Sequence, residues 1–157
     1  MSEVITTYLK DHHAGATAGL EVFDRVASSH SDLQVREAVA AIAREVREDR
    51  QSLEEIMQTL GIDPSLLKDT ASSLGEKVAR LKPNEHLAQR SPLSDLVELE
   101  ALVLGVRGKR LLWKSLLAVG DPRLDHGRLN ELVERAETQE NQLEALRLSQ
   151  APKLLQS

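Results

Sequence analysis

The chain has 157 residues, a length that suits one domain with a sizeable core. Only Tyr8, Phe23 and Trp113 are aromatic, so the core must be aliphatic, which suits helix-on-helix packing and argues against stacking of nucleobases. A net charge of −5 offers no general attraction to nucleic-acid backbones, and the lack of cysteine excludes disulfides, thiolate metal sites and cysteine nucleophiles.

The N-terminal stretch is polar and lacks the apolar centre of a secretion signal. No charge-free apolar run approaches the roughly 20 residues that span a bilayer. These two features point to a cytoplasmic chain with no membrane partner.

The first helix is expected over about residues 3–28, with Ile5, Tyr8, Leu9, Ala16, Leu20, Phe23 and Val26 on its apolar stripe. A second follows over about 32–60. Ser31 stands three residues before Gln34 in the capping-box pattern, and Val35, Val39, Ile42, Val46, Leu53, Ile56 and Leu60 form the stripe. Gly61 suits its C-terminal stop. In the long 61–92 connection, Asp63-Pro64 and the stripe Leu67, Ala71, Leu74, Val78, Leu81 predict a shorter extra helix.

Ser91-Pro92 starts the next long helix, to about Val119, where Gly120 stops it. Its apolar residues cover more than one face, so it is either the most buried helix or one that also meets a second copy, with Leu104 and Leu112 in the contact. The last helix is expected from Asp121-Pro122, or from just past Gly127, to about Ser149. Its stripe is Leu129, Leu132, Val133, Ala136, Leu143 and Leu146, with a loose tail over 151–157. The expectation is therefore an all-α, four-helix bundle over residues 1–150. Each pair of long helices forms an antiparallel hairpin, and the middle connection either crosses the bundle or turns back.

Each long helix carries a polar residue where its stripe predicts burial: His12, Asp49 with Glu45 a turn earlier, Glu100, and Glu140 with Glu137 a turn earlier. Counted from the hairpin turns at 1.5 Å per residue, His12 meets Asp49 at about one height, and Glu100 meets Glu140. If both hairpins turn at the same end, all four share a layer.

Two readings follow. In one, His12, Glu45, Asp49, Glu100 and Glu140 bind a hard divalent ion such as iron or manganese, with a redox or storage role. In the other, they form structural pairs: His12 with Asp49, and Glu100 with Arg107 or a basic residue on another helix.

Four long helices, a long middle connection and inward acids resemble the ferritin-like superfamily. That resemblance implies a Glu on two helices and a Glu-x-x-His on each of the others. This chain has no Glu-x-x-His; Glu45-x-x-Glu48 and Glu137-x-x-Glu140 are the nearest matches. The segments at 7–15 and 105–116 also resemble a group of uncharacterised bacterial proteins, a likeness that implies no activity.

The small residues Ala14 to Gly19 read as a close-packing strip against residues 41–47, with a ligand slot as the alternative. Gly105 and Gly108 read as a packing notch, since the spacing to Lys109 fails the phosphate-loop pattern. The basic residues Arg107, Lys109, Arg110 and Lys114 are expected to pair with acids on neighbouring helices. His13, His30, His86 and His126 are expected to be solvated, His30 favouring the end of the first helix when protonated. No nucleophile elbow is present. The leading expectation is a non-catalytic binding module, a homodimer through the third long helix.

Overall fold

The computed structural model describes residues 2–64 and 90–157, which form four long helices with no strand among them. The helices are α1 (Glu3–Ser29), α2 (Leu33–Thr59), α3 (Pro92–Val119) and α4 (His126–Leu155). The expected short helix of the connection lies outside the described residues. None of the four is long and apolar enough to cross a membrane.

Local chemistry sets most of the ends. Ser91 caps α3 through Ser94 N–H and Pro92 opens its first turn, where the missing amide is no loss. Gly120 closes α3 at φ +67°, and Gly61 follows α2 at φ +76°, a region that suits glycine because a Cβ would clash. The N-cap of α2 is Asp32 and not the expected Ser31; its carboxylate accepts from the amides of Gln34 and Val35. The expected loose tail is helical to Leu155, even with Pro152 inside it. The reason is tertiary: Gln150 is buried and donates to Asp32 Oδ2 at 3.1 Å, docking the end of α4 on the α1–α2 turn.

Cross-helix contacts fix the directions. Tyr8 meets Ser115 and Arg25 meets Glu98, so α1 and α3 are antiparallel. Asp32 meets Gln150 while Ser52 meets Arg128, so α2 and α4 are antiparallel too. It follows that α2 and α3 run parallel. The start of α3 sits beside the α1–α2 turn, where Ser31 N–H donates to Asp95 at 3.3 Å. The end of α2 lies at the opposite end, about 40 Å away for a helix of this length. The two ends of the connection therefore lie at opposite ends of the bundle, and the two hairpins turn at opposite ends.

Leu9, Phe23, Val39, Leu53, Met57, Leu99, Leu112, Trp113, Leu129 and Leu143 centre the core, each at most 3% exposed. Packing is extensive within each hairpin and thinner between hairpins. Leu112 belongs to this core, contrary to its expected place in a contact between copies, whereas Leu104 is exposed.

Candidate functional site

Two features occupy the join between the hairpins. One is a buried polar network linking α2, α3 and α4. The other is an open cavity walled by α1, α2 and α3.

The network centres on Asp49, which is 1% exposed. Lys109 Nζ donates to Asp49 Oδ2 at 2.6 Å and to Gln139 Oε1 at 2.5 Å. Gln139 Nε2 in turn donates to Asp49 and to Glu45 Oε1 at 3.0 Å. The guanidinium of Arg135 lies 3.2 Å from Asp49 Oδ1 and donates to Glu48 and to the Glu45 carbonyl. Burial pushes the Lys109 ammonium below its ordinary range, and the facing Asp49 carboxylate opposes that shift.

Of the residues expected to hold a metal, the structure brings Glu45 and Asp49 together through Gln139 and Arg135. Glu100 stands apart, on the surface and 3.7 Å from Arg147. It lies about 13 Å along α3 from Lys109, because hairpins that turn at opposite ends separate the levels. Glu140 faces Arg110 at 3.4 Å and Arg107 at 4.0 Å. His12 does not bond Asp49; it packs edge-on against Tyr8 at 4.7 Å. No group of three or more His, Asp or Glu side chains converges as a metal site among the described residues. Asp49 instead has two cations of its own. The expectation that Lys109 and Arg110 meet acids on neighbouring helices matches these contacts.

The cavity holds about 510 Å³. Gly15, Ala16 and Gly19 of α1 face Ala101, Gly105 and Gly108 of α3 across it. Phe23, Val46, Leu53, Leu102, Val106, Leu112 and Trp113 line the rest with apolar surface. Polar groups are few: Tyr8, Asp11, His12, Asp49, Arg50 and Lys109. Burial holds the His12 imidazole below its ordinary value of 6.5, with Asp11 pulling the other way, so the ring is neutral at pH 7. The indole Nε1 of Trp113 is buried without a hydrogen-bond partner among the described residues.

The glycines do not do what their sequence pattern suggested. A Cβ placed on Gly15, Gly19, Gly105 or Gly108 meets nothing within 4 Å. None of these four glycines is a close-packing contact among the described residues of the chain, whereas Ala14 of the α1 strip and Ala43 of the α2 stretch expected opposite it are both buried. All four glycines line the cavity.

A second polar cluster lies at the α1–α2 turn and was not expected. His30 is fully buried rather than solvated; its Nδ1 accepts from Asp32 N–H at 3.0 Å and its carbonyl accepts from Arg36. Burial lowers its pKa, so it is not the protonated partner of a helix dipole. Asp95, also buried, accepts from Ser31 and Arg90, and Arg90 reaches on to Glu98. Among the other histidines, His13 pairs with Glu54 at 2.8 Å, His126 bonds the Asp121 carbonyl at 3.0 Å, and His86 lies outside the described residues.

Comparison with protein-family models, curated proteins and solved structures gives no match, which leaves the geometry of this join as the guide to function.

Proposed function

We propose that this chain is a non-catalytic binding protein that takes a small, mainly apolar molecule into the cavity between α1 and α3. The observation that carries the reading is the set of four glycines. Each glycine inside a helix destabilises it by about 1 kcal/mol relative to alanine. Close helix packing normally offsets that loss, and here no neighbour stands where the side chains would be. The remaining consequence of the missing side chains is space. The volume falls in the range of small-molecule sites, roughly 300–1,000 Å³, and the lining has their usual character: apolar walls with a few polar groups. His12 supplies hydrogen-bonding capacity, and the Asp49–Lys109 pair borders one part of the wall.

The carboxylates favour this reading over an ion. Asp49 and Glu140 already face cations from the protein. The antiparallel and parallel pairings, with the connection joining opposite ends, support the ferritin-like resemblance at the level of topology alone.

Trp113 is the only tryptophan and lines the cavity, so its fluorescence reports occupancy. Titration with anilinonaphthalene sulfonate, an apolar fluorescent probe, should change the Trp113 emission saturably. Gly19→Leu and Gly105→Leu, which place side chains in the empty space, should each weaken the probe by about tenfold or more while the helical circular dichroism persists. Probe binding that is indifferent to both substitutions would place the probe elsewhere and refute the reading.

A further inference from the structure

The exposed face of α3 carries a pattern that the cavity does not use. Leu93, Val97, Glu100, Leu104, Arg107 and Leu111 follow one another in alternating steps of four and three. That is the spacing of a coiled-coil seam. The four aliphatic members are 63%, 50%, 68% and 53% exposed, so the seam points away from the bundle. Exposed aliphatic residues scattered singly are ordinary, but four along one stripe of one helix form an unpartnered face.

The two charged members identify the occupant. Glu100 and Arg107 stand on either side of Leu104, one heptad apart. If a second copy lay parallel, Glu100 would face Glu100 and Arg107 would face Arg107. If it lay antiparallel, with a two-fold axis beside Leu104, each Glu100 would face the other copy's Arg107. Val97 would then face Leu111, and Leu104 would meet its own counterpart. The surface is self-complementary in the antiparallel sense only, which is what a two-fold interface requires. Both charges are free enough to take part. Their side chains are 47% and 61% exposed, and their contacts within the chain are loose, at 3.7 Å to Arg147 and 4.0 Å to Glu140.

We infer that α3 is a homodimerisation helix, joining two copies as an antiparallel coiled coil centred on Leu104 with reciprocal Glu100–Arg107 ion pairs. The inference is independent of what the cavity binds. It also places the second copy beside the α3 wall of that cavity.

The full chain tests it in two ways. In sedimentation analysis the protein should dimerise. Glu100→Arg and Arg107→Glu should each weaken the dimer by about tenfold or more by setting like charges face to face, and the double swap should restore it. The chain has no cysteine, so introduced thiols are unique. Leu104→Cys should cross-link to itself on oxidation. Val97→Cys and Leu111→Cys should cross-link when the two variants are mixed and not when either is alone. Circular dichroism of each variant identifies any that fail to fold, and the cysteine series stands without the charge series. A wild-type chain that stays monomeric up to about 1 mM would overturn the inference. So would a dimer in which the charge swap restores nothing, or one in which Val97→Cys cross-links to itself.

Discussion

Asp32 shows how much one side chain can decide. Its Oδ1 accepts from the amides of Gln34 and Val35 at 2.8 and 3.3 Å, and its Oδ2 accepts from Gln150 of α4. These bonds hold its carboxyl below the usual carboxylate range, the Val35 amide being the largest cause. Two cap-competent residues stand side by side here, Ser31 and Asp32, and the capping-box pattern favoured Ser31. The backbone decides otherwise: Asp32 is extended, at φ −93° and ψ 122°, and the Ser31 amide is engaged by Asp95 from α3. A contact from so far along the chain leaves no trace in a local motif. Asp32→Ala should lower stability by about 1–2 kcal/mol in urea denaturation, since it removes a cap and strands a buried amide of Gln150. Asp32→Asn, which keeps a capping oxygen, should lose much less. Equal losses in the two variants would mean that charge and not capping matters.

Among the elements, the helices and most of their ends were legible because their causes are local: apolar spacing, Ser91-Pro92, and the glycines at 61 and 120. Asp49 was legible as a buried polar residue from its place between Val46 and Leu53. Its partners were not, because Lys109, Arg135 and Gln139 meet it only once the hairpins have joined with their turns at opposite ends. Glu100 and Glu140 miss each other for a different reason, the register of their own hairpin, which sets Glu100 beside Arg147 and Glu140 beside Arg107 and Arg110 and leaves no common layer for a metal site. A buried charge left without its partner is far costlier than the pair is stabilising. Lys109→Met should therefore lower stability by about 3 kcal/mol, with Arg135 limiting the loss. Asp49→Leu combined with Lys109→Met should recover most of it. The comparison is a pair of denaturation curves; a double variant no better than the single one would show that the Lys109–Asp49 pair is not the network's main interaction.

Across the whole molecule, the two tightly packed hairpins meet along a thinner join. Its α2–α4 side carries the Asp49 network, and four glycines of α1 and α3 line the cavity on its other side. The outer face of α3, where Leu93, Val97, Leu104 and Leu111 are exposed, explains why that helix is apolar on more than one side. Small residues in a helical pattern read equally as a packing strip or as the wall of a slot, since both need the absence of a side chain. Only the distance to the opposite helix separates them, and distance is a tertiary quantity.

The most direct measurement is to replace Gly15, Gly19, Gly105 and Gly108 together by alanine and record both unfolding free energy and affinity for the fluorescent probe. A methyl group at each position meets no neighbour. Stability should therefore rise by about 2–4 kcal/mol from helix propensity, while the smaller cavity binds the probe about tenfold or more weakly. A variant that loses stability would show that these glycines serve packing after all, and one that gains stability with probe affinity intact would show that the cavity between α1 and α3 is not a binding site.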